Sequence, residues 1–101
     1  MVAFTYMVRC ADGSLYTGWT CDLYKRIEAH NSGRAAKYTR SRLPVRLVAS
    51  WESPDRSQAM RLERFIKTLS KTTKESLIAS GVHPYRSISG MESDVLSICD
   101  K

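Results

Sequence analysis

Two tyrosine side chains near the start of the chain have the chemistry and the spacing to act on one water molecule. Tyr6 lies in the segment Phe4 to Cys10, whose aromatic and β-branched residues predict a β-strand. Tyr16 lies in Leu15 to Thr20, which predicts the returning strand of a hairpin. A phenol can orient water or accept its proton, and the alternative is that both rings are ordinary half-buried strand aromatics.

The turn between the two strands decides whether the tyrosines can act together, because side chains alternate between the two faces of a strand. With a three-residue turn, Ala11-Asp12-Gly13, in which Gly13 is left-handed, Tyr6 faces Gly18 and Tyr16 lies diagonally beside Tyr6 on the same face. With a two-residue turn the phenols would point to opposite faces. Pairing with Gly18 would also leave an open space beside the phenol of Tyr6.

The first predicted helix carries an arginine and a histidine four residues apart, Arg26 and His30. Asp22 can cap this helix, and Gly33 suits its carboxyl-terminal end. Side chains at this spacing lie one helical turn apart. Arg26, at the margin of the apolar stripe, could aim its guanidinium into a cleft, whereas His30 falls within the stripe. For His30 alone, a packing residue with satisfied hydrogen bonds is the competing interpretation.

A carboxylate, Glu63, lies on a second predicted helix, from about Arg56 to Ser70. The apolar stripe of that helix follows the i, i+3, i+4, i+7 pattern and consists of Leu62, Phe65, Ile66 and Leu69. Glu63 lies to the side of this stripe, where a carboxylate can face a cleft. The competing interpretation is a solvated ion pair between Glu63 and Lys67, worth only about 0.3–0.5 kcal/mol.

Positive charge is concentrated in the middle of the chain. The formal net charge is +6 at pH 7, and between Lys25 and Arg46 seven basic residues stand against one acid, Glu28. A basic block on a small domain is typical of a protein that binds a polyanion such as a nucleic acid. The alternative is a surface that only keeps the protein in solution.

The order of the predicted elements defines the expected fold. A third strand, Val45 to Trp51, follows Pro44, and the segment Arg34 to Arg42 predicts a loop or a short helical turn. The order β-β-α-β-α-α predicts an α+β domain with a small, mostly antiparallel three-stranded sheet flanked by helices. The 101 residues have room for one such domain, expected at residues 1–80, with 81–101 as a weakly structured extension.

Nothing in the sequence predicts secretion or membrane insertion. No apolar run approaches the roughly 20 residues that cross a bilayer, and the amino terminus lacks the pattern of a signal peptide. The cysteines, Cys10, Cys21 and Cys99, are odd in number and lack metal-ligand spacing. We therefore expect a cytoplasmic protein with reduced thiols.

Together these residues resemble the GIY-YIG endonuclease family, in particular its small stand-alone bacterial branch. Thr5-Tyr6-Met7 and Tyr16-Thr17-Gly18 look like degenerate forms of the two tripeptides that name the family. Arg26 and His30 occupy the following helix, where the family has its Arg and His. Glu63 occupies a later helix, as the Glu of the family does.

The resemblance covers about Phe4 to Ile78 and includes the string Ala36 to Arg40. The sequence also departs from the family pattern. Thr5 and Met7 stand where the name demands Gly and Ile, and Thr17 stands in place of the second Ile. Both tyrosines and the second glycine are kept, so the groups that carry chemistry are retained.

The resemblance implies an endonuclease that hydrolyses DNA phosphodiester bonds with one divalent ion, Mg²⁺ or Mn²⁺. Glu63 would be the only protein ligand of the ion, and Arg26 would hold the scissile phosphate. Tyr6 is the preferred general base and Tyr16 would orient the water or relay its proton, with the reverse assignment left open. The phenol pKa, near ~10, must be lowered by Arg26 or the metal, or the proton must pass onward, and His30 could accept it.

The resemblance and the basic block together predict contacts with the DNA backbone from Lys37, Tyr38, Arg40, Arg42 and Lys67. Duplex, branched and single-stranded DNA are not distinguished, and no membrane or stable protein partner is implied. One competing function is a non-catalytic nucleic-acid-binding module on the same fold, which would not require the tyrosines, the arginine and the glutamate. A basic structural or protein-interaction domain is a further alternative, and it would need an exposed apolar patch.

Overall fold

The computed structural model describes residues 2–81 of the chain. Its strands and helices are β1 (Ala3–Arg9), β2 (Leu15–Thr20), α1 (Leu23–Asn31), α2 (Lys37–Arg40), β3 (Arg46–Ser53), α3 (Arg56–Lys67) and α4 (Lys71–Ser80). The strands form one antiparallel sheet in the order β2-β1-β3. The predicted α+β class is therefore confirmed, and the segment predicted as a loop or helical turn contains the short helix α2.

The chain consists of two compact units, one from Met1 to Thr68 and a second that begins at Leu69. The first unit contains the sheet and the helices α1, α2 and α3, and the second contains α4. The predicted extension at 81–101 lies outside the described residues except for Gly81, which ends α4 in the left-handed conformation. No helix within residues 2–81 is long and apolar enough to cross a membrane.

The hairpin turn has three residues, the first of the two alternatives that the sequence left open. The amide of Cys10 donates to the carbonyl of Ser14 at 2.8 Å, and Gly13 has a φ of +87°, which favours glycine. The resulting register places Tyr6 opposite Gly18 and Val8 opposite Tyr16. Both tyrosines therefore lie on the same face of the sheet.

The two faces of the sheet pack against different helices. On one face, Tyr6 and Val8 form a core with Cys10 and Val45, against which Leu23 and Ile27 of α1 pack. The opposite face packs against α3, since the side-chain hydroxyl of Thr5 donates to the carbonyl of Ala59 at 2.8 Å. The buried residues of α3 are Ala59, Leu62 and Ile66, so Ala59 replaces the half-buried Phe65 and Leu69 in the predicted core stripe.

Local hydrogen bonds set the ends of the helices. Asp22 caps α1 by accepting from the amide of Lys25, and Asp55 caps α3 in the same way. The predicted extension of α3 to Ser70 is wrong, because the helix ends at Lys67 and the side chain of Ser70 instead caps α4. The third strand is likewise shifted from the prediction and runs over Arg46–Ser53.

Candidate active site

A buried hydrogen bond between Tyr6 and His30 lies at the centre of the site. The phenol oxygen of Tyr6 is 2.7 Å from Nε2 of His30, and each residue is only 1% exposed. Strand β1 supplies the tyrosine, and the last turn of α1 supplies the histidine. His30 is therefore a buried residue with satisfied hydrogen bonds, and its partner is one of the two tyrosines that the sequence analysis singled out.

The second ring nitrogen of His30 has a partner that the sequence analysis did not single out. Nδ1 lies 2.9 Å from the hydroxyl oxygen of Thr39, which is fully buried on α2. Thr39 belongs to the string Ala36 to Arg40, whose resemblance to the family was the one signal that could have found it. Both ring nitrogens of His30 are thus hydrogen-bonded by side chains.

Tyr16 occupies the more accessible position of the two tyrosines. Its ring centroid lies 5.3 Å from that of His30 in an edge-to-face arrangement and 6.0 Å from that of Tyr38 in a stacked one. Its side chain is half-buried. Its hydroxyl has no hydrogen-bond partner within the described part of the chain.

The expected open space beside Tyr6 does not exist, because the ring of Tyr6 itself fills it. A Cβ built on Gly18 would lie 2.6 Å from the phenol oxygen of Tyr6, 2.8 Å from its Cζ and 3.2 Å from Cε2 of Tyr16. Distances below 3.0 Å are not found for real Cβ atoms. The glycine is needed here because the phenol lies directly on its backbone.

The pKa values in the centre of the site fit a neutral pair. Burial raises the pKa of the Tyr6 phenol, the neighbouring Tyr16 and Glu63 raise it further, and Arg26 lowers it. Burial also lowers the pKa of His30, and the positive charge of Arg26 adds to that effect. The expected lowering of the phenol pKa by Arg26 is therefore outweighed by burial, and the imidazole is uncharged near neutral pH.

Glu63 lies close to this centre but is paired with a lysine. Its carboxylate is 3.2 Å from the ammonium of Lys67, with the Glu63 side chain 17% exposed and the Lys67 side chain 51% exposed. The Lys67 ammonium is also 5.9 Å from the ring centroid of Tyr16. Both interpretations of Glu63 are thus compatible with its position, since the i, i+4 pair is formed at the edge of the tyrosine pair.

Arg26 is half-buried on α1, and its charge acts on the pKa values of both Tyr6 and His30. Its guanidinium has no ion-pair partner among residues 2–81. A half-buried guanidinium without an acidic partner can bind a phosphate in a two-pronged contact.

The predicted DNA-binding residues of the basic block line one cleft, formed by Lys37, Tyr38, Arg40, Ser41 and Arg42. Arg42 is already engaged there, because its guanidinium pairs with Asp12 at 3.0 Å and lies 4.0 Å from the ring centroid of Tyr38. Lys37 and Arg40 are exposed. The stack of Tyr38 on Tyr16 joins this cleft to the tyrosine and histidine cluster.

The donor groups of the site suit a divalent ion that keeps most of its water. Within residues 2–81, no three histidine, cysteine, aspartate or glutamate side chains cluster as a ligand set. An ion at Glu63 would therefore take its other ligands from water and phosphate. Mg²⁺ suits such a site, since it retains several waters and accepts one carboxylate.

Comparison with known proteins agrees with this architecture. The profile of the GIY-YIG catalytic domain matches residues 2–76. The UPF0213 protein BH0048 of Halalkalibacterium halodurans is 49% identical over 82 residues, which cover 81% of this chain and 87% of that protein. The UPF0213 protein SAG0778 of Streptococcus agalactiae is 43% identical over 76 residues, which cover 75% of this chain and 86% of that protein.

Two solved structures have a similar fold. The solution structure of the UPF0213 protein BH0048 from Bacillus halodurans is 45% identical in sequence. It aligns with a TM-score of 0.54, and the alignment covers 90% of this chain and 97% of that one. The solution structure of the protein EF2693 from E. faecalis is 34% identical in sequence. It aligns with a TM-score of 0.55, and the alignment covers 79% of this chain and 85% of that one.

Proposed function

The chain belongs to the GIY-YIG catalytic-domain family, a family of nucleases, and from this premise we propose that it is a metal-dependent endonuclease that hydrolyses DNA phosphodiester bonds. One observation carries the proposal for this chain, namely the buried 2.7 Å hydrogen bond between Tyr6 and His30. Binding alone does not require a buried phenol held on an uncharged imidazole. Such a pair is suited to removing a proton from water, which hydrolysis requires.

In the proposed mechanism Tyr6 is the general base and His30 receives its proton. Because the pKa of Tyr6 is raised by burial, the free phenolate is scarce near neutral pH. The phenol instead accepts a proton from the attacking water while its own proton passes to Nε2 of His30, which is within hydrogen-bonding distance. The more accessible hydroxyl of Tyr16 orients the water.

Arg26 and Glu63 stabilise the charge that develops on the phosphate. The guanidinium of Arg26 holds two phosphate oxygens through parallel hydrogen bonds. Glu63 would hold a divalent ion, Mg²⁺ or Mn²⁺, and such an ion would supply positive charge to stabilise the reacting phosphate. Lys67 must then share or release the carboxylate, and its exposed ammonium can contact the DNA backbone.

The cleft beside the site supplies the remaining contacts with the DNA backbone. Lys37 and Arg40 are exposed and can neutralise phosphates. Arg42 acts mainly by holding Tyr38, since its guanidinium is paired with Asp12 and lies on the tyrosine ring. Tyr38 is 40% exposed, and its exposed part can contact the DNA.

A non-catalytic nucleic-acid-binding module is the second candidate function. The observation in its favour is the ion pair between Glu63 and Lys67, because a carboxylate neutralised by an ammonium is not free for a metal. The two candidates differ in what Glu63 does. In the endonuclease it binds the ion, whereas in the binding module it only pairs with Lys67.

The test replaces Glu63 with glutamine, and Lys67→Gln is the matched control because it breaks the same ion pair but keeps the carboxylate. We expect Glu63→Gln to fold, to bind DNA as well as the unchanged protein or better, and to lose cleavage with Mg²⁺ and Mn²⁺. Binding of Mn²⁺, followed by electron paramagnetic resonance, should be lost in Glu63→Gln and kept in Lys67→Gln. If Glu63→Gln cleaves normally, or if both variants bind Mn²⁺ alike, the metal assignment is wrong.

A further inference from the structure

A chain of three hydrogen bonds runs inward from Tyr6. The phenol oxygen of Tyr6 is 2.7 Å from Nε2 of His30, and Nδ1 of His30 is 2.9 Å from the hydroxyl oxygen of Thr39. The same hydroxyl is 3.2 Å from the carbonyl oxygen of Ala36. The residues Tyr6, His30 and Thr39 are at most 1% exposed.

The contact with Ala36 at the end of the chain favours one direction for the bonds in it. A carbonyl oxygen only accepts, so the single hydroxyl hydrogen of Thr39 is donated to Ala36. The oxygen of Thr39 must then accept from His30, which places a hydrogen on Nδ1. A neutral imidazole carries one ring hydrogen, so Nε2 has a free lone pair, and the phenol of Tyr6 donates to it.

The opposite direction brings two acceptor oxygens into contact. If Thr39 donated to Nδ1, its oxygen and the carbonyl oxygen of Ala36 would face each other at 3.2 Å with no hydrogen between them. Such a contact is unfavourable, because neither oxygen donates a hydrogen to the other. The ring hydrogen would then lie on Nε2, and His30 would have no lone pair for the proton of Tyr6.

We propose that Thr39 is a positioning residue that holds His30 in the tautomer with the hydrogen on Nδ1, so that Nε2 can accept the proton of Tyr6. The balance of the step is simple: water loses a proton to the phenol oxygen, the phenol hydrogen moves to Nε2, and the imidazole becomes an imidazolium. Its Nδ1 hydrogen stays bonded to Thr39 throughout, so the acceptor needs no rearrangement when it becomes charged.

This assignment explains why the short helix α2 lies where it does. One turn of helix is closed by the amide of Arg40, which donates to Ala36, and the amide of Arg42 donates to the carbonyl of Thr39. The backbone on both sides of Thr39 is thus held. The turn delivers one buried hydroxyl to His30 while its neighbour Tyr38 stacks on Tyr16.

The tautomer can be read directly by nuclear magnetic resonance, because long-range proton–nitrogen correlations distinguish a protonated from an unprotonated ring nitrogen. We expect Nδ1 protonated and Nε2 unprotonated in the unchanged protein and in Thr39→Ser, which keeps the hydroxyl. In Thr39→Val, which has the shape of threonine but no acceptor, we expect the ring hydrogen to move toward Nε2. A protonated Nε2 in the unchanged protein overturns the proposal, even if Thr39→Val does not fold.

The effect of Thr39 on cleavage rests on the proposed function. Failure of the positioning role and failure of the proposed function give different results. If the chain is a nuclease, Thr39→Val should cleave about 10²-fold more slowly, at the lower end of what a general base contributes, and Thr39→Ser should recover most of the rate. A valine variant that changes tautomer yet cleaves normally overturns the positioning role. If no form of the protein cleaves DNA, the proposed function fails, whereas the tautomer stands or falls by its own spectrum.

Discussion

Strand β1 buries two hydroxyl groups on opposite faces, and their partners differ in kind. On the face covered by α1, the hydroxyl of Tyr6 is bonded to the imidazole of His30. On the face covered by α3, the hydroxyl of Thr5 donates to the backbone carbonyl of Ala59. A carbonyl cannot take up the proton, but an uncharged imidazole can. In the proposed mechanism, adjacent residues of one strand therefore serve chemistry on one face and only the stability of the fold on the other.

The remainder of each face agrees with this difference. The α1 face carries aromatic rings and a histidine in mutual contact, including Tyr16 and Tyr38. The α3 face is lined by the buried aliphatic residues of the helix. We therefore expect substitutions on the α1 face to change cleavage. Substitutions of the buried residues on the α3 face, which do not include Glu63, should change only the free energy of unfolding.

The largest expected effect is on the α1 side, at Arg26. Arg26→Lys keeps the charge but loses the forked contact with phosphate, so cleavage should slow by about 10²-fold or more with little change in melting temperature. Single-turnover cleavage at saturating protein measures the rate. Arg61→Lys, an exposed position on α3, is the control and should leave both quantities unchanged. Cleavage at the unchanged rate in Arg26→Lys would remove Arg26 from the site.

Gly18→Ala should affect both stability and cleavage. The added Cβ would lie 2.6 Å from the phenol oxygen of Tyr6, so the ring must move away from its position against His30. We expect a loss of about 1–3 kcal/mol in the free energy of unfolding, typical of overpacking, together with slower cleavage. Ser50→Ala is the control, since Ser50 faces Tyr6 from β3 and is exposed. Gly18→Ala with unchanged stability and rate would show that the close fit is unimportant.

The smallest expected effect is on the free energy of unfolding, at the face that α3 covers. Two threonines on this face, Thr5 and Thr17, allow a matched comparison. The buried hydroxyl of Thr17 has no hydrogen-bond partner among the described residues, whereas that of Thr5 is bonded to Ala59. Thr17→Val should therefore stabilise the fold by about 1 kcal/mol, and Thr5→Val should destabilise it by about the same amount. Urea unfolding measures both, and cleavage should be unchanged in Thr17→Val. Effects of equal sign would contradict the hydrogen-bond assignments.

Sequence reasoning reached most of the fold because local signals determine it. The left-handed Gly13 set the turn, and strand alternation then placed Tyr6 opposite Gly18. The contact of Thr39 with His30 gave no local signal, because α2 is four residues long and too short to show periodicity, and only the family resemblance of the string Ala36 to Arg40 pointed to it. The filled space over Gly18 was also missed. Strand register gives the partners of a residue but not the direction in which a neighbouring ring leans.

The contact between Tyr6 and Gly18 also has a consequence for how the sequence can change during evolution. The middle residue of the first tripeptide, Tyr6, rests on the last residue of the second, Gly18. Selection acts on such a contact as a unit, because a larger side chain at either position collides with the other. We expect the tyrosine and the glycine to be kept or lost together among descendants of this chain, while the positions of Thr5 and Met7 drift more freely around them.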